Sequence, residues 1–301
     1  MTSALLMEAA APMAIAHTVP LLMLVNELNR LKDSSGIKDA EAARHLGCQP
    51  SKINRIMLGQ SKVSVGDAKL LGELYGASPE LIEVMLDLAR NLGQKGDWTS
   101  YRDLFRESFR LLVDLEHHAS RLRQVQSEII PGLLQTEAYR RALHDAPTPF
   151  HGKTDVDGEI HALRYRQSIL TREDPAPPTV SFALSESCLR RGYGGNQVMR
   201  EQMLRLIEIA DQPNVQIQIL PFDGNDPILY ASLDFCLIHV PGPGIANPLD
   251  FVYVEQYDDA RYLDDHDRVE AYEQLWGYLQ AAALGPQDSI EFIGKVADHY
   301  S

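Results

Sequence analysis

The sequence predicts an α+β, mostly helical protein: five short helices at the N-terminus, then a larger domain in which a small mixed sheet is flanked by helices. Three observations predict it. Apolar residues recur at helical spacing between Ser, Pro and Gly punctuation as far as about residue 95. Past the Pro-rich spacer Asp174 to Pro178, short β-branched and aromatic runs replace that period. A content of 45% hydrophobic and 23% charged residues over 301 positions suffices for about two cores.

In chain order, Leu21, Leu24, Val25, Leu28 and Leu31 mark a first helix that ends before Ser35-Gly36. A second runs from about Asp39 to Leu46 and is closed by Gly47. A third opens at Pro50, where the missing amide of a first-turn proline costs nothing, and reaches Leu58-Gly59. Ser64 caps a fourth through Leu74, and Ser78-Pro79 opens a fifth carrying Leu81, Met85 and Leu88 on one face. Leu92 to Asp97 reads as a hinge. A long helical stripe follows from Tyr101 to Leu122, then helices over Thr136–Leu143 and Val156–Leu170. Strands are expected at Val180–Leu184, Val215–Leu220, Leu233–Val240 and Phe251–Glu255. The amphipathic segment Asn196–Ala210 between the first two makes a βαβ unit, so those strands should be parallel. Helices over Arg268–Leu284 and Gln287–His299 close the chain. The domains expected are an N-terminal arm (1–19), a helical domain (20–95) and an α+β domain (96–301).

The opening Met1 to Val19 is apolar but has no Lys or Arg before the apolar run and carries Glu8 within it, unlike a secretory signal. No later window approaches the ~20 uninterrupted apolar residues of a membrane helix. Cys48, Cys188 and Cys236 have neither CxxC nor zinc-ligand spacing, as expected of reduced thiols in a cytoplasmic protein. The net charge of −14 argues against indiscriminate coating of nucleic acid. From Pro20 to Lys95 ten Lys/Arg face nine Asp/Glu, a balance of +1, which leaves −15 for the other 225 residues. Any contact with DNA then falls to the N-terminal helices.

The strongest local signal is Asp39 to Ile56. A helix-turn-helix needs a small residue where its helices cross, supplied by Ala43. It needs a turn residue tolerant of positive φ, supplied by Gly47, and apolar anchors on the second helix, supplied by Ile53 and Ile56. That leaves Gln49, Ser51, Lys52, Asn54 and Arg55 on the other face, donors and acceptors suited to base edges and phosphates. Lys52, Lys62, Lys38 and Arg44 are expected to position the phosphates, and Gln49, Ser51, Asn54 and Arg55 to read bases. Changing Lys52 and Arg55 together to Ala should abolish operator retention at nearly unchanged melting temperature.

Leu46-Gly-Cys-Gln-Pro-Ser-Lys-Ile-Asn-Arg-Ile56 with Gly59 resembles the Xre/Cro, lambda-repressor-like helix-turn-helix of actinobacterial regulators. Trp98-Thr-Ser-Tyr101, Ile130-Pro-Gly-Leu-Leu-Gln-Thr136, Arg166-Gln-Ser-Ile-Leu170, Gly195 to Leu204, Asn214 to Phe222 and Val252 to Glu255 resemble the C-terminal domain of unknown function in WhiJ-like, antitoxin-like regulators. The resemblance implies a homodimeric transcription factor that binds a double-stranded DNA operator, often with a small acidic partner protein; the residues themselves offer no convincing acid-base pair, nucleophile or metal-ligand spacing, so a non-enzymatic body without cofactor or metal is expected. Three positions depart from the pattern. Lys38-Asp39 stands where Thr-Gln is usual and Asp39 would repel a phosphate; Gln49 replaces the Ser cap; Met57 replaces an acidic residue.

Weaker signals read blandly. Leu263-Asp-Asp-His-Asp267 is an acid-capped helix start rather than a metal cluster, Asp223-Gly-Asn-Asp226 a turn rather than a calcium loop, and Arg190 to Gly195 a turn rather than a phosphate cradle. His117 and His118 lie on a helix, and Ser185 and Ser187 lack a nucleophile setting. Two other readings compete with the regulator: a sensor with a ligand pocket near Leu133 to Tyr139, and an antitoxin-like interaction module with secondary DNA binding.

Overall fold

A computed structural model describes residues 18–92, 107–146, 155–223, 234–256 and 259–301. The chain divides into two units, Met1–Gln94 and Lys95–Ser301. Most of the expected arm and hinge, the Trp98–Tyr101 motif and the tip of the Asp223–Asp226 turn lie outside the described residues.

The N-terminal unit holds α1 (Val19–Ser35), α2 (Asp39–Leu46), α3 (Pro50–Met57), α4 (Val65–Leu74) and α5 (Pro79–Asn91). Local chemistry fixes the ends. The Ser64 and Ser78 hydroxyls accept the Asp67 and Leu81 amides at 3.0 and 3.2 Å, and prolines occupy the first turns of α3 and α5. α1 begins two residues earlier than its apolar spacing indicates, because Val19 is already fully buried. Leu24, Leu28, Ile53, Ile56, Leu71 and Met85 fill the centre.

The C-terminal unit runs α6 (Glu107–His118), β1 (Arg121–Gln126), α7 (Glu137–His144), α8 (Val156–Gln167), β2 (Thr179–Ser185), α9 (Glu186–Arg190), α10 (Asn196–Ala210), β3 (Val215–Leu220), β4 (Phe235–Val240), β5 (Leu249–Glu255), β6 (Ala260–Leu263), α11 (His266–Ala282) and α12 (Pro286–His299). Its sheet has the order β3-β2-β1-β4-β5-β6. β2 is parallel to both β1 and β3, and β4, β5 and β6 extend it antiparallel, so the mixed sheet and the parallel βαβ unit around α10 are both present.

The long helix expected to reach Leu122 stops at His118. Arg172 donates to the carbonyls of His117 and Ala119, the Ser120 amide donates to the His239 carbonyl at 3.0 Å, and the chain continues as the central strand β1. On one face of the sheet, Trp276 and Leu279 of α11 pack on Val125, Ala183, Phe235, Leu237 and Val252. The outer edge of β3 is blunted where the Ile219 amide donates to the Ser289 hydroxyl at 3.0 Å and its carbonyl accepts the Leu284 amide at 2.8 Å.

Ile130 to Thr136 forms a short 3-10 turn (Gly132–Leu134) held by glutamines. Gln202, fully buried, accepts the Thr136 amide at 2.7 Å and donates to the Leu134 carbonyl at 2.8 Å; Gln167 donates to the carbonyls of Gly132 and Gln135. Leu133, Leu134 and Tyr139 are themselves core, at 1% exposure or less, where a ligand pocket was one expectation. Gln202→Ala leaves the buried Leu134 carbonyl and the half-buried Thr136 amide without this partner, and urea unfolding should show a loss of about 1–3 kcal/mol.

Candidate nucleic-acid interface

Ala42 and Ala43 bury the inner side of α2, and their small side chains let α3 cross closely. Gly47 turns the chain at φ 65°, in the left-handed region, and its amide and that of Cys48 return to α2 carbonyls. Ile53 and Ile56, both fully buried, pin α3, and Asn29 of α1 donates to the Met57 carbonyl at 2.9 Å. Met57 is 8% exposed, a core residue in this chain. Gln49 precedes α3 without a side-chain capping bond.

This packing leaves Gln49, Ser51, Asn54 and Arg55 of the α3 face exposed, together with Arg44 of α2, Lys38 before it and Lys62 in the loop before α4. Val63, 2% exposed, plugs that loop into the core beside Lys62. Among the described residues none of Lys38, Arg44, Arg55 and Lys62 enters an ion pair, so their charges face solvent.

Lys52 sits differently from its neighbours. Its Nζ lies 2.9 Å from both carboxylate oxygens of Asp67 on α4, and it is half-buried. Burial alone would raise the Asp67 carboxyl. Hydrogen bonds from Lys52 and Ser64, with the Lys52 charge, instead hold it below its ordinary value. The expectation that Lys52 could be removed at constant stability is therefore corrected: Lys52→Ala strands a half-buried carboxylate. A loss of about 1 kcal/mol, allowing for solvent screening, should lower the melting temperature of the N-terminal unit by about 4–8 °C in differential scanning calorimetry.

The acidic departure at the start of α2 also has a partner. Lys32 of α1 forms an ion pair with Asp39, offsetting a charge that would otherwise repel a phosphate. Sequence reasoning missed Lys32 and Asp67, since neither pairing follows a helical or strand period. Asp265 caps α11 by accepting the Arg268 amide at 3.2 Å, Gly194 and Gly195 turn into α10, and His117 stacks on Tyr165.

A family model described as a helix-turn-helix domain matches residues 24–85, and one described as a domain of unknown function, DUF5753, matches residues 109–295. No curated protein and no solved structure matches the chain.

Proposed function

We propose that this chain, which belongs to the DUF5753 family and carries a helix-turn-helix domain, is a sequence-specific DNA-binding transcriptional regulator. The observation that carries the reading is the solvent-facing side of α3, where Gln49, Ser51, Asn54 and Arg55 stand exposed on a helix whose opposite side is fully buried. Such a helix fits a major groove, about 12 Å wide, and these side chains match its donor and acceptor pattern. Lys62, Lys38 and Arg44 supply the phosphate contacts beside it.

A unit with a charge balance of only +1 binds weakly alone. We therefore assign the working form to a homodimer whose two heads reach half-sites about 34 Å apart. The C-terminal unit is assigned dimerisation and the receipt of a regulatory signal from a small acidic partner protein, in line with the resemblance to WhiJ-like regulators, and no catalytic role. No helix among the described residues is long and apolar enough to cross a membrane, which agrees with a place beside the chromosome in the cytoplasm.

The test is selection of the full chain against a pool of random duplexes. Enrichment of one two-part motif with half-sites a helical turn apart is expected. A pool that stays random after repeated rounds would remove the reading.

A further inference from the structure

We infer that Asp67 is a positioning residue that sets the electrostatic share of DNA affinity: it holds the Lys52 ammonium on the protein, so that one cation of the recognition helix is withheld from the DNA backbone. The inference rests on the DNA-binding reading and adds a regulation of the same surface.

Lys52 stands on α3 between two exposed residues, Ser51 and, one turn on, Arg55, yet its own side chain is turned onto Asp67 in a two-oxygen contact at 2.9 Å. The Asp67 side chain is only 16% exposed, against 35% for Lys52. The acid is the fixed partner. Its backbone amide is bonded to the Ser64 hydroxyl at 3.0 Å in the first turn of α4, where a negative charge also complements the helix dipole. The lysine reaches it across 15 positions of sequence, bridging α3 to α4. Lys38, Arg44, Arg55 and Lys62, by contrast, enter no ion pair among the described residues.

A cation on a recognition helix raises affinity for every duplex alike, because phosphates carry no sequence, whereas base contacts reward only the operator. Neutralising Lys52 internally therefore lowers background binding while Gln49, Ser51, Asn54 and Arg55 keep their reach. Operator binding falls by the same factor, so the ratio between the two is still set by the base contacts, and what the pair tunes is the absolute affinity for DNA and its dependence on salt. The same pair ties α3 to the first turn of α4.

The test measures binding of the full chain to a 30-base-pair duplex of random sequence as a function of salt. Asp67→Asn removes the fixed charge and frees Lys52, so the slope of log affinity against log salt should steepen by about 0.9 per head. Between 50 and 200 mM salt this variant should then lose about 3.5-fold more affinity per head than the parent, or about 12-fold for a dimer with both heads on the duplex. Lys52→Met/Asp67→Asn should return to the parent slope. A variant Asp67→Asn that keeps its helical circular dichroism but not the steeper slope overturns the inference. Lys52→Met alone supplies an independent measurement: the parent slope is expected, and a slope shallower by about one phosphate would show that Lys52 already contacts DNA, which also overturns it. Failure of the parent chain to retain any duplex is a separate outcome, which removes the DNA-binding reading and this inference with it.

Discussion

Glu116→Ala is expected to cost the C-terminal unit about 3–5 kcal/mol, a larger loss than either Gln202→Ala or Lys52→Ala should cause. Glu116 and Arg166 form a two-point contact between α6 and α8, at 2.8 and 2.9 Å, with side chains only 5% and 11% exposed. The Arg166 guanidinium also lies 4.7 Å from the Phe109 ring centre. Burial alone would lower the Arg166 pKa, but the Glu116 charge and hydrogen bonds outweigh it and hold the value above the ordinary one. Removing the carboxylate therefore leaves an ionised group in a dry site, and it cannot lose its proton to escape the cost. Nor can it swing away freely: a side chain at Gly132 would meet an Arg166 nitrogen at 2.8 Å, which shows how closely the guanidinium is enclosed by the Ile130–Thr136 turn. Glu116→Met/Arg166→Met should regain much of the loss, because apolar groups of similar volume often replace a buried pair at little cost. Urea unfolding of the two single variants and the double variant gives the coupling directly. A Glu116→Ala chain as stable as the parent would show that Arg166 reaches water.

Asn54→Ala with Arg55→Ala is the second large effect, and it falls on binding rather than stability. Each good base contact contributes about 1–3 kcal/mol, so losing both should weaken operator binding by at least about 30-fold. Both side chains are exposed. Substitutions at such positions usually stay within about 0.5 kcal/mol, so the melting temperature should hardly move. This pair separates recognition from folding in a way that Lys52 does not, since Lys52 is engaged with Asp67. Operator affinity from a gel shift and a thermal melt on the same preparations check it together; unchanged affinity would remove Asn54 and Arg55 from the interface.

Much of the N-terminal unit was legible in the sequence because its helix ends are written in local chemistry. Asp39–Leu46 and Val65–Leu74 have the bounds that Gly47 and the Ser64 cap indicate, and Ala43, Ile53 and Ile56 are buried as the crossing of two helices requires. The C-terminal unit was less so. β1 carries Arg121, Arg123, Gln124 and Gln126 and has little strand propensity; it becomes central because β2 and β4 pair with it on both sides. Its Leu122 continued the apolar stripe of α6, which hid the change of period. β6 is four residues long, too short to announce itself, and α9 is five. The candidate site was legible as a face but not as a charge pattern. The spacing at α3 identifies which residues point outward, whereas the partners that neutralise Lys52 and Asp39 come from α4 and α1, and Arg166 meets Glu116 across 50 positions. Such pairings are tertiary facts without a sequence period.

The central claim is that the outward side of α3 enters DNA. Hydrogen exchange of the full chain, free and bound to the duplex recovered by selection, tests it most directly. Bound DNA should slow exchange over residues 38–62, strongest at the loop from Gly59 to Ser64 and the start of α3. Protection confined to residues 107–299, with residues 38–62 unchanged, would contradict the claim and place the nucleic-acid contact on the C-terminal unit.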